Sequence, residues 1–198
     1  MRHLSKILLL LCLLLVARSA FAQAGLRTSG LSAADRKEWR RLLGWPAECE
    51  DDFRSEPTAP GGASGLEFFP LGHGRYVVKI ACSYGAYFEN CRLMYYDARR
   101  RPARKLLRLR GFSGTDDRGV SHAYSVINGV VRFDPGTRTL SVTQPCRGLF
   151  DCGLYVRYRF VGSRPIVIEA RAQREDLTGM RRYQEPEQWP RIRLRDLH

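Results

Sequence analysis

Beyond residue 22 the chain carries three histidines, His73, His122 and His198. A nucleophilic hydrolase needs a nucleophile, a base and an orienting acid that converge in space, and the nearest approach to that set is Ser113, Asp116, Asp117 and His122. No Gly-x-Ser-x-Gly elbow frames the serine, so residues 113–119 read more simply as a turn. Carboxylates for glycoside hydrolysis would come from Glu50, Asp51, Asp52, Glu67 and Asp151, which their sequence spacing does not bring together. Residues 48–52 read as a solvated acidic loop, since they lack the alternating oxygen ligands of a calcium loop. No residue is assigned a catalytic role.

The most concentrated chemistry is basic. Arg99, Arg100, Arg101, Arg104, Arg108 and Arg110 crowd together with Lys105 into twelve residues, and Arg157 and Arg159 alternate along a later segment. Guanidinium forks match phosphate and carboxylate. Such a run could dock an anionic envelope polymer, lipid headgroups or an acidic protein, through contacts that weaken as salt rises. It could equally be a solvated turn and an edge strand kept from pairing by its charge. Specific nucleic-acid recognition is not expected, because no basic helix or aromatic-basic signature accompanies the charge.

Cys49, Cys82, Cys91, Cys146 and Cys152 follow residue 22. There is no Cys-x-x-Cys pair and no close Cys/His cluster to hold zinc, so neither a metal nor a cofactor is expected. In an oxidising compartment five cysteines read as two disulfides and one thiol, with the connectivity left open. A bridge between Cys146 and Cys152 would close a short loop presenting Arg147 and Asp151, and Asp151 could equally cap backbone amides there.

The compartment follows from the first segment. Arg2 and Lys6 precede an apolar run at 7–17, and Ala20-Phe21-Ala22 supplies a small-x-small cleavage signature, as in a secretory signal peptide cut after Ala22. The run is shorter than the roughly 18 residues that cross a bilayer, and the expectation is a periplasmic or secreted protein that does not span a membrane. The whole chain has 198 residues, 33 Lys+Arg against 20 Asp+Glu, and 44% hydrophobic residues, a globular composition that excludes disorder and fibrous repeats. Losing Arg2, Lys6 and Arg18 lowers the formal charge from +13 to +10, so the basic excess belongs to residues 23–198, which fit one domain.

The elements that must position these groups are mostly strands. Ser32 as N-cap, Asp35 at the capping-box position, Trp39, Leu42 and Leu43 at helical spacing and Gly44 as a stop predict one short helix over about 33–43. Residues 48–64, with Pro57, Pro60, Gly61 and Gly62, predict a loop. From Leu66 the period becomes two, and paired segments flank turn residues: 66–70 with 76–82, 91–97 with 105–110, 130–133 with 139–142, and 154–161 with 166–170. Four successive hairpins predict a mainly β fold, a sandwich or a partly open barrel. In the last hairpin Leu154, Val156, Tyr158 and Phe160 form the core face and Tyr155, Arg157 and Arg159 a basic face. Residues 173–198 predict a loop and then an edge strand.

Several of these segments share an order with a known family. Trp45 and Cys49 after a short helix, Leu71-Gly72-His73-Gly74, Cys82 with Gly85-Ala86-Tyr87, the run Arg132-Phe133-Asp134-Pro135-Gly136-Thr137-Arg138-Thr139-Leu140, Arg147-Gly148 with Asp151-Cys152-Gly153, and Trp189-Pro190 resemble the exported bacterial proteins grouped as domain of unknown function 1176. The resemblance implies an exported, disulfide-bearing, β-rich domain and no reaction. It further implies a bridge between Cys49 and Cys82. The chain departs from the family pattern at Cys146, where glycine is usual, and in lacking a downstream cysteine near Glu175. Cys146 would then partner Cys152 and leave Cys91 free. The functional expectation is a non-enzymatic binding module with an arginine-rich surface for an anionic envelope partner; the alternative is an envelope hydrolase built on Asp/Glu or Ser/His residues.

Overall fold

The computed structural model describes residues 27–55, 64–85, 87–100, 104–111, 113–115, 121–123, 126–174 and 183–197. Residues 1–22, read above as a signal peptide, and Arg101, Asp116 and Asp117 lie outside them.

Helix α1 spans Ala33–Leu43 as its pattern predicts. The Ser32 hydroxyl accepts from the Asp35 amide, the Asp35 carboxylate accepts from the Ser32 amide at 2.7 Å, and Gly44 closes the helix at φ 64°. These contacts satisfy donors that every helix start leaves open, and the left-handed turn suits glycine. A second helix, α2 (Ala47–Ser55), replaces the first part of the predicted loop. Pro46 ahead of it, acidic residues in its first turn and Cys49 with Phe53 four residues apart on one side are helix signals that the density of carboxylates concealed.

The strands are β1 (Leu66–Gly72), β2 (Arg75–Tyr84), β3 (Glu89–Asp97), β4 (Arg104–Leu106), β5 (Ser113–Thr115), β6 (Ser121–Ala123), β7 (Ile127–Asn128), β8 (Val130–Asp134), β9 (Thr139–Pro145), β10 (Gly153–Val161) and β11 (Arg164–Gln173). They form two antiparallel sheets, ordered β1-β2-β3-β4 with β7 also on β3, and β11-β10-β9-β8, beside a small β5-β6 ribbon. All four predicted hairpins are present. The second is shorter than expected: β4 ends at Leu106, because Leu107 and Leu109 turn into the inter-sheet core and the Tyr158 hydroxyl takes the Arg110 carbonyl at 2.6 Å.

Alternation along β2 and β3 builds three layers. Val77 on β2 with Leu93 and Tyr95 on β3 faces Leu140, Val142, Val156 and Tyr158 of the second sheet. Val78, Ile80, Met94 and Tyr96 point the other way and bury Trp39, Leu43 and Trp45 from the helical layer. Period-two side chains on a sheet covered on both faces leave little polar surface. Arg36, enclosed beneath the helices and 3% exposed, is satisfied: it reaches Glu50 from Nε at 2.7 Å, the Ser64 carbonyl at 2.9 Å and the Ala81 carbonyl at 3.0 Å, and Trp45 Nε1 also donates to Glu50 at 2.9 Å. The cluster at 48–52 is therefore no solvated loop; Glu50 is a buried anchor.

The outer face of the last hairpin is not the open basic face predicted. Tyr155 is buried beneath the 3-10 turn Pro186–Gln188, and burial together with the Glu187 charge pushes its phenol up to about 12. Glu169 sits opposite Arg157 across the strand pair and gathers Arg157, Arg171 and Arg191. The predicted edge strand is a single bridge, Arg171 to Arg191, flanked by Ile192 N–H to the Ala170 carbonyl and Ala172 N–H to the Pro190 carbonyl, both at 3.0 Å. Among the described residues no helix is long and apolar enough to cross a membrane.

Candidate functional site

Antiparallel connectivity sends alternate turns to opposite ends of the sandwich, and the two ends differ in chemistry. At one end lie the β1-β2, β3-β4, β8-β9 and β10-β11 turns. Gly72 of the first turn sits against the Arg138 guanidinium of the third, and Arg75 Nε is held by the Gly72 carbonyl at 3.1 Å. Two clefts of about 200 Å3 each share Arg75 and Gly162. One also takes Asp97, Arg99, Arg100, Arg104 and Lys105; the other takes Thr137, Arg138 and Arg159. The carboxylate among these described lining residues is Asp97, buried under Arg99 and Arg100 with N···O distances of 3.4 and 3.7 Å. Burial alone would raise its pKa, but the Arg99 amide and guanidinium and the Arg100 charge outweigh that and hold it below the usual carboxylate range. It stays anionic and organises the β3-β4 turn, while Arg100, Lys105, Arg138 and Arg159 remain exposed.

The basic residues named from sequence separate into distinct roles. Arg99, Arg100 and Arg159 line the clefts. Arg104 lines one as well, but its Nη1 donates to the Leu42 carbonyl at the end of α1. Arg108 is exposed on the segment after β4. Arg110 donates from Nε to the Leu197 carbonyl at 3.2 Å, tying down the C-terminal turn, and Arg157 is engaged by Glu169 at 3.1 Å. Arg75 and Arg138 were missed. Both flank turns that the sequence does show, Gly72-His73-Gly74 and Asp134-Pro135-Gly136-Thr137, and only the common direction of those turns brings them together.

At the opposite end the β2-β3 turn meets the β9-β10 loop. Disulfides join Cys49 to Cys82 and Cys146 to Cys152, with Cα separations of 4.4 and 5.5 Å, within the usual range and compatible with an oxidising compartment. Cys91 is the free thiol among the described residues; it is buried, and its pKa is pushed up to about 12 by burial and then by the Glu89 charge. Within the small loop Arg147 and Asp151 form a two-point ion pair, with Nε to Oδ1 at 2.8 Å and Nη2 on Oδ2. They brace the loop rather than project from it.

Gly148 in that loop lies beneath the Tyr87 ring. A Cβ added there would stand 2.7, 2.8 and 3.0 Å from three consecutive ring carbons, near-equal distances that mark an approach onto the ring face. Phe88 meets Phe150 edge-on with centroids 5.0 Å apart. Beside them a cavity of about 330 Å3 is lined by Tyr84, Tyr87, Phe88, Lys79, Glu89 and Gly129, among others. Lys79 Nζ lies 2.7 Å from Glu67 and 2.6 Å from Glu89. Burial alone would lower the Lys79 pKa, but its two carboxylates outweigh burial and raise it; burial dominates at Glu89 and raises that one.

Of the residues considered for hydrolysis, Asp116 and Asp117 lie outside the described residues. Ser113 and His122 fall on β5 and β6, where His122 registers with Gly114; Asp151 belongs to Arg147, Glu50 to Arg36 and Glu67 to Lys79. Among the described residues no three His, Cys, Asp or Glu side chains converge as a metal site needs. A family model described as protein of unknown function (DUF1176) matches residues 16–192. No curated protein and no solved structure matches the chain.

Proposed function

The chain belongs to the DUF1176 family, whose description carries no activity, and we propose that it is an exported, non-enzymatic binding module whose basic end engages an anionic surface of the cell envelope. In this reading the first 22 residues are a signal peptide and the remainder works in the periplasm or outside the cell. The observation that carries the proposal is the convergence of four turns on one end, which collects Arg75, Arg99, Arg100, Lys105, Arg138 and Arg159 around two adjoining clefts with one buried carboxylate between them. Phosphate-bearing headgroups and polymers match such forks in charge and shape.

The test is sedimentation of residues 23–198 with vesicles of phosphatidylglycerol against vesicles of phosphatidylcholine. Binding to the anionic vesicles alone, lost as salt rises, is expected. Each basic residue near an anionic surface contributes about 1 kcal/mol, so an Arg100→Ser, Arg138→Ser, Arg159→Ser variant should bind about a hundredfold more weakly. These side chains are exposed, and a circular dichroism spectrum checks that the fold survives. Equal binding by the variant would refute the proposal.

A further inference from the structure

The aromatic end has the opposite electrostatics and a different kind of surface. Tyr87 is 74% exposed although one ring face is covered by Gly148, so the other face is open to solvent. A flat ring backed by a glycine and carried beside a cavity with a charged floor is a stacking platform. The lining ion pair and Glu67 sum to one negative charge, which disfavours an anion. A cation would have to approach the Lys79 ammonium, which sits between both carboxylates. An apolar occupant would strip water from Lys79 and Glu89 and return no hydrogen bonds.

We propose that this end binds a neutral saccharide, with the C–H face of one sugar ring stacked on Tyr87 and its hydroxyls bonded to Lys79 and Glu89. The polarity fits. A pyranose presents weakly positive C–H groups on one face, which the electron-rich face of an aromatic ring attracts, and hydroxyls at its edge that both donate and accept. Lys79 has three N–H donors, of which the two carboxylates take two, and each carboxylate keeps acceptor sites after binding Lys79. The cavity, about 330 Å3, is at the small end of ligand sites, suited to one or two rings. This site is independent of the basic clefts, which lie at the far end of the strands.

Isothermal titration of residues 23–198 with two neutral probes, maltotriose and triacetylchitotriose, tests it. Saturable binding to at least one probe, unchanged by salt, is expected. Tyr87→Ala should weaken that binding about tenfold, and Tyr87→Phe should keep it within about threefold, because the ring and not the hydroxyl makes the contact. Both substitutions fall on an exposed side chain and leave the core intact. The Arg100→Ser, Arg138→Ser, Arg159→Ser variant should bind the sugar as the parent does, which separates this site from the anionic one. Failure to bind either probe, binding that Tyr87→Ala leaves unaltered, or equal losses in Tyr87→Ala and Tyr87→Phe would overturn the assignment.

Discussion

Arg104 Nη1 donates to the carbonyl oxygen of Leu42, a residue 62 positions earlier in the chain. A guanidinium on the last turn of α1 satisfies an orphan carbonyl and opposes the negative end of the helix dipole. One of the arginines that composition marks for a polyanion is thus committed to joining the helical layer to the first sheet. Arg108, four residues on, is exposed after β4 has ended.

The two should therefore separate on mutation. Arg104→Ser is expected to lower stability by about 1 kcal/mol, while Arg108→Ser should stay within about 0.5 kcal/mol of the parent. Urea unfolding of the two variants, compared at equal slope, measures the difference. Equal midpoints would show that the Leu42 contact contributes nothing.

Arg36 is a sharper case, because it is 3% exposed and its charge is balanced by one carboxylate. Burial lowers its pKa, and the bond and charge of Glu50 oppose that effect. Removing one partner of a buried pair leaves the other uncompensated, at a cost of about 3–5 kcal/mol. Arg36→Ala should lose about that much, and restoring shape with Arg36→Met should recover only part of it, since Glu50 and the Ser64 and Ala81 carbonyls still lack their donor. Thermal unfolding of both variants decides; a loss below about 1 kcal/mol would mean that water reaches Glu50.

The hairpins were legible because each is local: alternation over a few residues, then Gly72-His73-Gly74 or Asp134-Pro135-Gly136-Thr137, then alternation again. The first helix was legible for the same reason, through Ser32, Asp35 and Gly44. What escaped was settled by distant partners. In sequence Glu50 is one of an acidic cluster, and its burial is set by Arg36, 14 residues earlier. In sequence Arg157 belongs to a basic face, and its counter-charge comes from Glu169, which registers opposite it in β11. The basic end joins Arg75, Arg100, Arg138 and Arg159 from four hairpins, and nothing local in any one of them announces the other three.

The disulfides should differ in weight. In the chain-entropy account a bridge stabilises by shrinking the unfolded ensemble, more so for a longer loop. Cys49 and Cys82 are 33 residues apart and Cys146 and Cys152 only 6, which corresponds to roughly 3.7 against roughly 2.2 kcal/mol. The Cys49→Ser, Cys82→Ser variant should therefore unfold at lower denaturant than the Cys146→Ser, Cys152→Ser variant. Cys91, 0% exposed with its thiol pushed up to about 12, should resist alkylation until the chain is unfolded. Fast labelling of the native protein would contradict its burial.

Glu169 makes the docking of the C-terminal segment sensitive to acid. Burial alone would raise its pKa, but the hydrogen bonds and charges of Arg171 and Arg157 lower it below the ordinary value. A carboxylate depressed in the folded state contributes stability that is fully present above its unfolded pKa, about 4.3, and is lost as pH falls through the lower folded value. Protonation leaves Arg157, Arg171 and Arg191 facing one another without their counter-charge. The amides that hold the segment to β11, Ala172 to Pro190 and Ile192 to Ala170, should then lose hydrogen-exchange protection as pH is lowered from about 5 to about 3, after correction for the intrinsic rate. Glu169→Gln should show reduced protection at both pH values and little change between them. A pH dependence that survives in Glu169→Gln would move the acid sensitivity to another carboxylate.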